Sequence, residues 1–155
     1  MVTIEKFINH AIDRDYMSGI DRDKSRVKAT AEVFTPDALV QEILDKIHEL
    51  TPDAFTDETK TFVDPSCGDG QFLVWVVLYK LIQGELEILN CDDIMNEDIT
   101  DMFEQALRTT YGVDLMPDNV ALTKERLLCG QEQFRHIVDK NIVCANALTY
   151  DFSFE

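Results

Sequence analysis

The run Phe62-Val63-Asp64-Pro65-Ser66-Cys67-Gly68-Asp69-Gly70-Gln71-Phe72-Leu73 constrains this chain more than any other part of it. A short apolar strand ends on an acid, passes through a proline and two glycines, and enters an apolar helix. Glycines at 68 and 70 permit a tight turn and a close approach of backbone to a ligand. The helix that follows presents unpaired N–H groups to whatever lies above the strand. Such a strand–loop–helix unit points to nucleotide binding, and the acid beside the loop bears on which nucleotide.

The surrounding pattern sets the unit in an α/β frame. Ile4, Phe7, Ile8, Ala11 and Ile12 form a helical stripe over residues 3 to about 17. Gly19 and the basic residues 22–28 follow as a linker, so 1–30 reads as an N-terminal helix with a basic linker and 31–155 as one binding domain. Thr35-Pro36 opens the next helix, with threonine as N-cap and proline in the first helical position. Leu39, Val40, Ile43, Leu44 and Ile47 are its expected buried face. The helix over 71–82 is apolar nearly all round and should be buried on more than one side. Residues 85–97 read as an acidic loop, 98–109 as an amphipathic helix, and 111–114 as a second strand. Pro117 starts a further helix that Gly130 stops, and a third strand spans 141–145. Strands alternating with helices predict a parallel sheet with helices packed on it. Asp64, Asp114 and Asn146 then fall at the carboxyl ends of successive strands, where ligands of such sheets bind.

Charge narrows the partners. Thirty acids against 14 Lys and Arg give a formal −16, a surface that repels DNA phosphates. Solubility explains such a charge, as does a DNA mimic, or a module whose DNA-binding part lies on another segment or chain. Four scattered cysteines without a Cys-x-x-Cys pair indicate neither a zinc site nor a disulfide framework. The N-terminus has no apolar leader and no stretch is long enough to span a membrane, so a cytoplasmic, reduced protein is expected.

The nucleotide can be narrowed too. A dinucleotide site calls for Gly-x-Gly-x-x-Gly, but Leu73 stands in the third position. No Gly-x-x-x-x-Gly-Lys-Ser/Thr run is present for a nucleoside triphosphate. An acid before the glycine loop suits a ligand that carries an ammonium. S-adenosylmethionine is such a ligand, with a positive amino group and sulfonium and two ribose hydroxyls for a carboxylate such as Asp114.

Four segments in order strengthen this. Glu32-Val33-Phe34-Thr35-Pro36, the glycine loop from Asp64 to Leu73, Tyr111-Gly112-Val113-Asp114 and Cys144-Ala145-Asn146-Ala147-Leu148 resemble motifs of the N6-adenine DNA methyltransferases whose cofactor region comes first. The resemblance runs from about residue 26 to 152 and implies a Rossmann-like methyltransferase fold binding S-adenosylmethionine. By position, Thr35 would contact the methionine carboxylate, while Asp64, Ser66 and the backbone at Gly68 and Gly70 would hold the methionyl end. Asp114 would take the ribose hydroxyls and Asn146 the adenine amino group, with Ala147 beside it and Leu115 and Leu148 against the ring. The family usually has aspartate where Asn146 stands; an asparagine carbonyl still accepts a hydrogen bond.

One family motif is absent. Asn/Asp-Pro-Pro-Tyr/Phe holds the target amine and stacks on the flipped base in that family. The four prolines here, at 36, 52, 65 and 117, are isolated, and none follows asparagine. The resemblance therefore implies the cofactor-binding half of a restriction-modification type enzyme, inactive alone and meeting DNA only through a further segment or second chain. A catalytically dead relative and an acidic DNA mimic serving as an anti-restriction module are the other readings. The resemblance also places a fourth strand beside the first. Without it, the outer edge of the first strand is expected to be covered by the N-terminal segment, a second copy or a complementary polypeptide.

Overall fold

The computed structural model describes residues 1–12 and 35–155. The basic stretch 22–28 and the motif residues Glu32, Val33 and Phe34 lie outside the described residues. Three parallel strands, β1 (Phe62–Asp64), β2 (Thr110–Asp114) and β3 (Ile142–Cys144), form one sheet in the order β1-β2-β3. Each strand lies beside the next in sequence, as the alternating pattern predicts. Asp64 pairs in register with Gly112, and Asp114 with Cys144, so the strand-ending residues share one rim.

Helices supply the rest of the core. Helix α1 (Ile4–Phe7) runs on as a turn of π-helix through Ile12, and α2 spans Asp37–Leu50. After β1 comes α3 (Gln71–Leu81), followed by a 3-10 turn at Leu86–Asn90 and the short α4 (Asp92–Met95). Residues 85–97 are thus largely helical rather than the expected loop. Ile94, Met95, Leu86 and Leu89 pack against the core, and this apolar anchorage holds an acidic segment in turns. Helix α5 (Thr100–Arg108) precedes β2, and α6 (Pro117–Leu128) and α7 (Arg135–Asn141) precede β3. Cys129 ends α6 in the left-handed conformation, one residue before the expected stop at Gly130.

Helix α3 is the centre of the molecule. All of it except Phe72 is buried, and it packs on α1, α2, α5, α6, β1 and β2. A helix without a polar face has to be enclosed in this way. Gly112 lets it approach the sheet, since a Cβ there would lie 2.6 Å from Leu73 Cδ1. Alternation along β2 turns Tyr111 to the other face, where Phe154 of the C-terminal segment packs with a ring-centroid distance of 4.7 Å. Val63, in register with Tyr111, is 53% exposed on that face.

The N-terminal residues belong to the same core. Val2, Ile4, Phe7 and Ala11 are buried in it; Phe7 meets Phe103 edge-on at 5.7 Å, and Ile99 N–H donates to Val2 O at 2.9 Å. Residues 1–12 dock on α3, α4 and α6. No described strand pairs with the outer edge of β1.

The apolar stripe of α2 is only partly buried. Val40 and Leu44 are covered, whereas Leu39 and Ile43 are exposed. The expected five-residue face is wider than the surface α3 offers, and Ile43 and Ile47 instead border a cavity.

Lys80 is a buried cation on α3. Its ammonium donates to Lys60 O at 2.9 Å and Thr109 Oγ1 at 2.7 Å and lies 5.1 Å from the Phe62 ring centroid. Burial pushes its pKa down from 10.5 to about 8, with Asp57 opposing the shift. Between those values the unfolded chain binds a proton that the folded chain does not, so this group adds stability as pH rises from about 8 towards 10.5. Urea unfolding at pH 7.5, 9 and 10 should show a gain in wild type, relative to Lys80→Met, that grows across this window. A constant difference would contradict it.

Candidate functional site

The glycine loop is held from three directions. From its own strand, Asp64 Oδ1 accepts Ser66 N–H at 3.0 Å and shapes the turn. From β2, Cys67 N–H donates to Val113 O at 2.9 Å, and Gly68 N–H donates to Asp114 Oδ2 at 2.9 Å. From α6, Thr123 Oγ1 donates to Gly68 O at 3.1 Å, and Arg126 Nη1 donates to Asp69 O at 2.8 Å.

The α6 contacts follow from helix periodicity. Asn119, Thr123 and Arg126 are spaced i, i+4 and i+7 and share one face. Asn119 Nδ2 donates to Asp114 Oδ1 at 3.2 Å, completing a polar ladder beneath the loop. All three side chains are buried. Arg126, 1% exposed, also donates through Nε and Nη2 to Ala11 O at 3.2 and 2.7 Å, and through Nη2 to Gln71 Oε1 at 2.8 Å. Its guanidinium lies 3.4 Å from Asp69 Oδ2, so one side chain joins the N-terminal helix, the loop and the start of α3.

Both loop glycines have positive φ, +55° at Gly68 and +85° at Gly70. No described residue comes within 4 Å of where a Cβ on Gly68 would stand, whereas a Cβ on Gly70 would meet Thr123 at 2.8 Å. An added Cβ would therefore point away from the described residues at Gly68 but run into α6 at Gly70.

Above the loop lies a cavity of about 340 Å³ between β1, α2 and α3, within the size range of small-molecule sites. Thr35, Asp64, Ser66 and Gly68 line it, with apolar walls from Ile43, Phe72 and Val76. Four residues singled out from the sequence thus converge on one space. Thr35 does so because it is not the helix cap: α2 starts at Asp37 with Pro36 in the N-cap position and no side-chain capping bond. Proline fixes the extended turn into the helix without a donor to satisfy. Beside it, the Trp75 indole N–H donates to Asp37 Oδ1 at 3.5 Å, tying α2 to α3.

The other expected site residues lie along the rim outside this cavity. Gly70 is buried under the loop. Asp114 is buried and accepts three N–H groups, from Gly68, Met116 and Asn119. Three of a carboxylate's roughly four lone-pair sites are therefore occupied, which makes Asp114 an organiser of the loop. Asn146 Oδ1 accepts Leu148 N–H at 3.0 Å and shapes the turn after β3. Ala147 is half-buried there. Leu115 is exposed, and Leu148 is 93% exposed.

Electrostatics distinguish the groups. Burial raises the Asp64 carboxyl above its ordinary value and the nearby Asp114 adds to this, against the Ser66 N–H. Burial also pushes the Cys67 thiol far up, which removes it as a nucleophile at neutral pH. An acid in a mostly apolar cavity beside a helix N-terminus can hold a cation and an adjoining acceptor together.

Sequence reasoning missed Gln71 in the cavity wall and the ladder Asn119–Thr123–Arg126. The signal for the ladder was present as three polar residues at helical spacing in a segment otherwise carrying Val120, Leu127 and Leu128. Among the described residues no helix is long and apolar enough to cross a membrane. Comparison with protein-family models, with curated proteins and with solved structures finds no match to this chain.

Proposed function

We propose that this chain is the S-adenosylmethionine-binding part of an adenine-specific DNA methyltransferase, not catalytic by itself. The observation that carries this reading is the cavity that gathers Thr35, Asp64, Ser66 and Gly68 at the carboxyl end of β1, above a loop fastened to Asp114. An acid, a hydroxyl and exposed loop backbone suit the zwitterionic, cationic end of that cofactor. The rim from Asp114 to Asn146 is left for its nucleoside. When bound, S-adenosylmethionine supplies an electrophilic methyl group on a sulfonium. The residues here bind and orient it: Asp64 faces positive charge, Thr35 offers a hydroxyl, and the apolar walls exclude water.

Transfer to an adenine amine needs groups that hold the amine and stack on the base, and these 155 residues contain no Asn-Pro-Pro-Tyr. That step, and contact with DNA, fall to another segment or chain. A surface of net charge −16 favours this division, since it leaves phosphate binding to the other part. The same lack of the motif favours, as a second reading, a relative that binds cofactor without catalysis.

Titration calorimetry with S-adenosylmethionine and S-adenosylhomocysteine tests the proposal. Binding of both is expected, and Asp64→Asn should weaken S-adenosylmethionine roughly tenfold through loss of a charged acceptor. The cation needs the ionised carboxylate, so affinity should fall on acidification at a pH above the ordinary aspartate value of 3.8. No heat with either compound at millimolar concentration would overturn the reading.

A further inference from the structure

The first turn of α3 contains a buried donor without a partner among the described residues. Gln71 is 3% exposed and stands in the cavity wall, and its Nε2 has no hydrogen-bond partner among the described residues. Swapping the amide atoms does not remove the orphan. Arg126 Nη2 donates to Gln71 Oε1, and a guanidinium has donors only, so the oxygen must face it and the NH₂ must face away. Arg126 is thus a positioning residue that fixes which end of the amide is free. A buried amide donor left unbonded is costly, and such a group calls for an acceptor that arrives with a ligand.

The backbone beside it has the same need. The first intrahelical bond of α3 runs from Val74 N–H to Gly70 O, so the N–H groups of Gln71, Phe72 and Leu73 have no acceptor within the helix. The N-cap Gly70 offers no side chain to satisfy them. Together with Gln71 Nε2 they make an array of donors at the positive end of an 11-residue helix. Asp64 shares the cavity with this array. A dianionic phosphate would meet that carboxylate unfavourably. A singly charged carboxylate with an ammonium on the neighbouring carbon satisfies both.

We infer that Gln71, its amide oriented by Arg126, is a specificity-determining residue that donates from Nε2 to the carboxylate of an α-amino-acid group seated at the start of α3. The inference rests on the cofactor reading above. It adds a second residue, which the sequence resemblance does not assign, to the carboxylate that the resemblance gives to Thr35.

The test compares S-adenosylmethionine with its decarboxylated analogue, which keeps the ammonium and lacks the carboxylate. Calorimetry on the whole chain should show the intact cofactor binding at least about tenfold more tightly, the ratio expected for one hydrogen bond to a charged group. Gln71→Glu keeps an acceptor for Arg126 but replaces the free donor by negative charge. It should bring the ratio to about one, while affinity for the decarboxylated analogue holds or improves. Gln71→Met, which removes both polar ends, should also lower the ratio, and it decides the matter if Gln71→Glu does not fold. A tenfold preference that survives in the folded variants overturns the inference, as does a wild-type chain that binds the two compounds equally. In both cases the cofactor reading stands. If wild type binds neither compound, the cofactor reading falls and this inference falls with it.

Discussion

Arg126→Met should destabilise the protein by about 3–5 kcal/mol, the cost of removing one partner from a buried ion pair. That is a large share of the roughly 5–15 kcal/mol that holds a domain of this kind together. The side chain has little accessible surface, and among the described residues three groups depend on it: Ala11 O, Asp69 and Gln71 Oε1. Methionine fills most of the volume and satisfies none of them. Arg126→Lys should recover only a minor part, because one ammonium cannot span the fork that reaches the N-terminal helix and the glycine loop at once. Denaturant unfolding gives the size of the loss, and hydrogen exchange gives its location. The amides of residues 4–12 should lose protection first, since Arg126 holds Ala11 O in the last turn of that segment. A loss below about 1 kcal/mol would mean that the fork is dispensable.

The second large effect separates two glycines that look alike in the sequence. Gly70→Ala should cost about 2–5 kcal/mol, combining a left-handed backbone with overpacking against Thr123. Gly68→Ala meets no atom of the described residues within 4 Å and should cost only the backbone preference, about 1–2 kcal/mol. Thermal unfolding of the two variants is enough to compare them. Equal losses would show that Thr123 yields and that the contact does not set the loop's position.

The fold was legible where local chemistry and topology agree. The apolar run after Gly70 could only be a central helix, and short strands between helices could only pair in parallel. Asp64, Ser66 and Gly68 were legible because a strand end and a glycine turn fix their place in any such sheet. The capping of α2 was misread because threonine before proline satisfies the usual N-cap pattern. Which residue caps depends on where the extended turn ends, and Pro36 carries that turn one residue further. The helical turns within 85–97 escaped notice because acids on the exposed side hide a sparse apolar anchorage. Gln71 and Arg126 were illegible for a different reason. Their roles arise from contact across 55 residues of sequence, and neither residue type carries a local signal for it.

Trp75 is the sole tryptophan of the chain. Its indole lies on the joint between α3 and the first turn of α2, two residues past Thr35 in the cavity wall. The protein therefore contains its own optical gauge. Whatever fills the cavity and draws Thr35 towards it also pulls on Asp37, and so changes the polarity around one fluorophore with no other indole to dilute the signal. Intrinsic emission can follow occupancy of this site at protein concentrations too low for calorimetry, in an unlabelled and unaltered chain.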